Sequence, residues 1–164
     1  MAGFERQIVD LLPRLRRLGR VLAGASADAD DLVQLTVERA LSRRDQWVPG
    51  SRLDSWMFRI MKNAWIDESR ARSRRAAVLL PEEAGDKVGD QGASAMEMHL
   101  AAGEVERAMR RLPDDQRLAV GLVLVDGLSY KEAAEALEVP AGTLASRLVR
   151  GRMALLAELG EIGP

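Results

Sequence analysis

The chain has 164 residues, 47% of them hydrophobic, and its 24 basic and 25 acidic side chains leave a formal net charge of −1. That length suits one ordinary domain or two small ones with a buried core, and the absence of cysteine excludes disulfides and thiolate metal sites and fits a reducing compartment. No apolar run approaches a membrane span, and the start MAGFERQIVDLLPRLRR lacks the small-residue cleavage site of a secretory signal, so a cytoplasmic protein with no membrane insertion is expected.

The charge is unevenly spread. Residues 1–75 hold 15 basic and 10 acidic side chains, residues 76–100 hold 1 and 5, and residues 101–164 hold 8 and 10. Local charge therefore says more about partners than the total.

In chain order, Phe4, Ile8, Leu11, Leu12, Leu15 and Leu18 recur at helical spacing, with Pro13 marking either a kink or a restart after Leu12. Residues 24–27 form a break. A second helix is predicted over about 29–42, capped by Ser26 or Asp28, with Asp30 and Asp31 in a first turn where the helix dipole favours acids. WVPGS (47–51) reads as a loop on its Pro49-Gly50 pair. A third helix starts near Leu53, with Leu53, Trp56, Met57, Ile60, Met61 and Ala64 on its apolar stripe. Arg59, Lys62, Asn63, Asp67 and Arg70 occupy the other face, and the helix runs out in RARSRR (70–75). Trp56 belongs with the core; Trp47 and Trp65 are open.

Residues 76–98 are acidic and Gly-rich without periodicity, and read as a flexible tether. AAGEVERAMRRL suits a helix. LAVGLVLV could be a strand, but a lone strand has no partner and Pro113 followed by two acids suits a helix start, so helix is preferred. Ser129 and Glu132 form a capping box for the next helix, and Val139-Pro140 separates it from the last. The expected fold class is all-α: two small helical modules, 1–75 and 99–164, joined by the tether at 76–98 and expected to move relative to each other.

Two helices joined by a corner, the second lacking acids over 140–157, suggest helix-turn-helix. Leu144, Leu148, Leu155 and Leu156 would face the core, and Ser146, Arg147, Val149 and Arg150 would project outward, where such a helix meets base edges. Arginine suits guanine or phosphate. The plainer reading is a helical hairpin with a solvated basic face.

Three motifs carry a family resemblance. DADDLVQLTVERAL (28–41) resembles the region by which small bacterial sigma factors grip core RNA polymerase, LDSWMFRIMKNAWIDESRARSRR (53–75) resembles their promoter-melting helix, and LPDDQR (112–117) with GLSYKEAAEALEVPAGTLASRLVRGR (127–152) resembles their fourth region. Order, spacing and length are similar to the extracytoplasmic-function group. The resemblance covers nearly the whole chain except the tether.

It implies three sets of contacts. Asp28, Asp31, Leu32, Gln34 and Thr36 would bind core polymerase. Trp47, Arg52, Arg59, Lys62, Asn63, Arg70, Arg74 and Arg75 would handle the melted −10 element, where single-strand capture wants cationic and stacking groups. Tyr130, Lys131, Thr143, Ser146, Arg147 and Arg150 would read the −35 element. Ala145 replaces a basic residue frequent in the family and Leu35 replaces an acid, which puts promoter preference and polymerase affinity in question.

The expected function is thus a sigma factor that binds core polymerase and promoter DNA, with an anti-sigma factor as a further partner, no catalytic residues, no metal and no cofactor. Alternatives are a sigma-like decoy that sequesters an anti-sigma factor, and a simple helix-turn-helix regulator. His99, the sole histidine, reads as a surface residue.

Overall fold

The computed structural model describes residues 2–24, 27–78 and 97–162. Among the described residues there are seven α-helices and no strand: α1 (Ala2–Ala23), α2 (Ala27–Ser42), α3 (Leu53–Val78), α4 (Glu97–Arg111), α5 (Asp114–Val120), α6 (Tyr130–Leu137) and α7 (Ala141–Ile162). A single 3-10 turn, Arg44–Gln46, follows α2, and α5 runs on as a π-helical stretch, Gly121–Val125.

Helix α1 passes through Pro13 without a restart. It ends at Gly24, whose φ of +86° is a backbone state glycine adopts without strain. Asp28 lies inside the first turn of α2 rather than capping it, and Ser26 is outside the described residues. Helix α3 extends past the expected end near Arg75 to Val78, so the described parts of the 76–98 stretch are helical and residues 79–96 lie outside the description. Pro113 stands just before α5 as its N-cap, one position earlier than expected, because its ψ of 152° is extended. The Ser129–Glu132 capping box is present in both directions: Glu132 N–H donates to Ser129 Oγ, and Ser129 N–H donates to Glu132 Oε1.

The apolar stripes bury as their spacing requires. Leu15, Leu18, Met57, Met61 and Ala64 are fully enclosed, Trp65 joins them, and Trp56 is half-buried. In α7, Leu144 and Leu148 are buried and Leu155 half-buried, but Leu156 is 64% exposed, contrary to the sequence expectation. Leu156 lies on the outer face of α7, while Leu155 beside it packs on the core and Glu158 further on pairs with Arg111 of α4.

The two halves also pack on one another: Leu18 and Met61 from the first join Leu118, Leu122 and Leu137 from the second in one core cluster. Gly121 allows the close approach: a Cβ there would fall 2.9 Å from Leu18 Cδ1 and 3.1 Å from Val21 Cγ1. Arg117 seals the joint. It donates to the Leu22 carbonyl, one of the last of α1 and otherwise without a helical partner. It also donates to the carbonyls of Arg110 and Leu112, and its guanidinium lies 5.4 Å from the Trp65 ring centroid.

Candidate polymerase and promoter interface

The residues expected to grip polymerase fall on α2 and divide by burial. Asp28, Asp31 and Gln34 are exposed. Leu32 is buried but lines a groove of about 350 Å³ with Leu35, Trp65, Glu38 and Glu68. Thr36 is a correction: it is fully buried and its hydroxyl donates to the Leu32 carbonyl at 2.8 Å, so it shapes α2 from within and is not a contact residue. Arg72 of α3 pairs with Asp28 at 3.3 Å, fixing the acidic end of the groove. Leu35 puts an apolar side chain in this groove where the family pattern has an acid.

The expected −10 set lies on α3 and the loop before it. Trp47 is half-buried, its ring tilted against Phe4 at 5.3 Å, and the Arg44 guanidinium lies 4.9 Å from the centroid of the same Phe4 ring. The Trp47 indole N–H is enclosed without an acceptor, so much of this ring is committed to packing. Asn63 is half-buried, and Arg70, Arg74 and Arg75 are exposed. Arg52 holds Asp54 through two hydrogen bonds, at 3.0 and 2.6 Å. Burial pushes the Asp54 carboxyl up, but bonds from Arg52, Arg14 and the Ser55 N–H outweigh it and hold the group below the usual carboxylate range.

Lys62 differs from expectation in its exposure. Sequence periodicity places it on the solvent face of α3, yet it is buried and its Nζ meets Glu138 Oε1 at 3.2 Å. Its neighbours behave alike. Arg59 donates to the Glu135 carbonyl at 3.3 Å, and Arg52 pairs with Glu132. Three members of the −10 set are thus taken up by one helix, α6. Helical spacing within α3 cannot foresee this, because the covering helix lies 76 residues away in sequence.

In the expected −35 set, Tyr130, Lys131, Ser146 and Arg150 are exposed and Thr143 half-buried. Arg147 is half-buried and pairs with Asp115 at 3.4 Å. It lines a cleft of about 550 Å³ opposite Lys62, Arg70 and Arg74. Ala145 leaves α7 without a cation at that position. Gly151 seats α7 against α5, since a Cβ there would lie 2.8 Å from Val120 Cγ2 and 3.3 Å from the Gln116 carbonyl oxygen.

Three groups that matter here carry little sequence signal. Besides Arg117, they are Arg14 and Asp126. Arg14 donates to Asp54 Oδ2 at 3.1 Å and to the Asp126 carbonyl at 3.3 Å, joining α1, α3 and the turn before α6. The Asp126 side chain is fully buried, accepts from Arg17 Nε at 3.4 Å, and keeps Oδ2 without a partner. Burial pushes its carboxyl up to about 6, although Arg17 and Arg14 pull against it. Among the described residues no cluster of His, Asp or Glu is arranged to hold a metal ion, and no helix is long and apolar enough to cross a membrane. The side-chain surroundings of His99 lie outside the described residues.

An all-helical chain with an acid-rimmed α2, a cationic α3 and a box-capped helix-turn-helix has the layout of a two-region transcription initiation factor. Residues 102–155 match the family described as "Sigma-70, region 4", and residues 8–62 match the "Sigma2 domain of PhyR". The chain is 38% identical over 152 residues to the ECF RNA polymerase sigma factor EcfG of Rhodopseudomonas palustris, covering 93% of this chain and 82% of that protein. It is 34% identical over 158 residues to SigE of Mycolicibacterium smegmatis, covering 94% of this chain and 61% of that one. Among solved structures, the sigma factor RpoE of Bartonella quintana, in complex with the anti-sigma factor NepR, superposes with a TM-score of 0.79 at 28% identity, covering 98% of each chain. The chain belongs to the ECF RNA polymerase sigma factor family.

Proposed function

We propose that the family role is divided along the chain as follows. The α2 groove, with Asp28, Asp31, Leu32 and Gln34, docks on core RNA polymerase. Helix α3 and the loop before it handle the melted −10 element through Arg52, Arg59, Lys62, Asn63, Arg70, Arg74 and Arg75, with Trp47 at the loop. The start of α7, with Thr143, Ser146, Arg147 and Arg150, reads the −35 element, while Tyr130 and Lys131 touch its backbone. The observation that carries this reading is a box-capped α6 leading into an α7 whose first half presents Ser146 and Arg150 to solvent.

On this reading the chain is not an enzyme. Promoter opening draws on captured bases that offset lost stacking, and no bond is made or broken by the protein. It works in the cytoplasm beside polymerase, and its likeness to a sigma factor solved with NepR supports an anti-sigma protein as a further partner. The decoy reading rests on Ala145 and Leu35, two positions where contact groups of the family pattern are lost.

Run-off transcription with core polymerase and a genomic promoter library, followed by transcript sequencing, tests the proposal. Starts sharing two upstream elements are expected. Arg150→Ala should weaken −35 selection by about 1–3 kcal/mol, and Asp31→Ala should weaken polymerase binding. Tight core binding without specific starts would favour the decoy, and no core binding would sink both docking and initiation.

A further inference from the structure

The two DNA-reading faces cannot act together in the arrangement the helices adopt. Elements at −35 and −10 lie about 25 base pairs apart, roughly 85 Å along a duplex. Here Arg147 of one reader and Lys62 of the other line a single cleft. Three of the cations assigned to the −10 strand are already met: Lys62 by Glu138, Arg52 by Glu132, Arg59 by the Glu135 carbonyl.

These acceptors come from α6 and its C-cap, at positions 132, 135 and 138. Residues three apart on a helix share a face, so α6 presents a row of oxygens along α3. Glu138 is the telling member. It is the sole described residue other than glycine with a positive φ, +59°, at a C-cap where glycine fits without cost. A charged side chain at a position that favours glycine is explained by what it holds, which is buried Lys62.

We propose that α6 is an intramolecular stand-in for the DNA strand: Glu132, the Glu135 carbonyl and Glu138 occupy the strand-guiding cations of α3 and keep the free sigma factor closed and inactive. The proposal rests on the assignment of Arg52, Arg59 and Lys62 to the −10 strand. Core polymerase and DNA then bind only the open fraction, so apparent affinity scales with that fraction. The contact is self-limiting in a useful way: the same cations cannot hold both α6 and phosphate, so DNA capture at α3 and closure exclude each other.

The experiment uses the full chain. With no native cysteine, dyes go on Asp10→Cys and Met153→Cys, both exposed, and single-molecule energy transfer counts open molecules. Binding of a fluorescein-labelled mixed-sequence single-stranded DNA 15-mer is measured in parallel. Combining Glu132→Gln, which keeps the capping box, with Glu138→Gly, which suits the backbone, should raise the open fraction and the DNA affinity together, by about tenfold. Glu135→Gln should change neither, because residue 135 contributes only its carbonyl. Glu138→Gly alone relieves backbone strain, so its effect cannot come from misfolding. An unchanged open fraction overturns the proposal, as does opening without a gain in DNA binding. Core polymerase binding is measured separately: its absence in every variant would overturn the sigma role and leave the closure result standing.

Discussion

Arg117 and Asp126 are both buried ionisable groups whose burial works against their charge. Burial lowers the Arg117 pKa, and three carbonyls and the Trp65 face surround the guanidinium while its Nε keeps no partner. Removing it strands those carbonyls. Arg117→Ala should cost about 3 kcal/mol, read from the urea midpoint at constant slope, and Lys should restore little because one ammonium cannot reproduce the fork. Asp126 retains an unpartnered oxygen, and its carboxyl sits at about 6 rather than the ordinary 3.8. The folded chain thus holds this proton more tightly than the unfolded one, so its contribution is full below the ordinary pKa and is lost as pH rises through about 6. Asp54 acts with the opposite sign: its lowered pKa gives a contribution present above the ordinary value and lost as pH falls below it. Asp126→Asn should abolish the decline between about pH 4 and 6 in thermal melts and leave the acid limb from Asp54; a persisting decline would assign it to another carboxylate.

At the scale of elements, α7 offers a matched pair of glycines. A Cβ at Gly151 meets Val120 and the Gln116 carbonyl, whereas a Cβ at Gly142 meets nothing within 4 Å. Gly151→Ala should cost about 1–3 kcal/mol and Gly142→Ala should gain about 0.5–1 kcal/mol, both measurable by denaturation. Equal effects would show that helix propensity and not packing governs this helix. The same elements mark how far the sequence could be read. The capping box, the corner at Pro140 and the stripe of α3 are local patterns, legible because a helix repeats every 3.6 residues. The burial of Lys62 and Thr36, the role of Gly121 and the ties made by Arg117 are not local. Lys62 and Arg117 depend on which faces meet across 76 and 95 residues, Gly121 on its approach to Leu18 of α1, and Thr36 on the surroundings of α2. The π-helical stretch was likewise invisible, since its residues LVLV suit strand or helix by composition alone. The candidate site was therefore legible as a list of residues, and its geometry was not.

At the scale of the molecule, one core runs through both halves, so they should unfold together. All three tryptophans lie between residues 47 and 65, and their fluorescence reports the first half and, through Trp65 against Arg117, its joint with the second, while far-UV circular dichroism reports every helix. The two melting curves should coincide, as for a two-state domain. An earlier transition by circular dichroism would show the second half coming away by itself.

The position of α6 late in the chain has a consequence for time. A ribosome makes Lys62 76 residues before it makes Glu138, and at about 5–20 residues per second that interval is roughly 4 to 15 s. Throughout it the cations of α3 have been synthesised and their intramolecular partner has not. Each new molecule therefore begins with this face unoccupied, and polymerase near a translating ribosome meets a nascent chain that has yet to acquire its restraint.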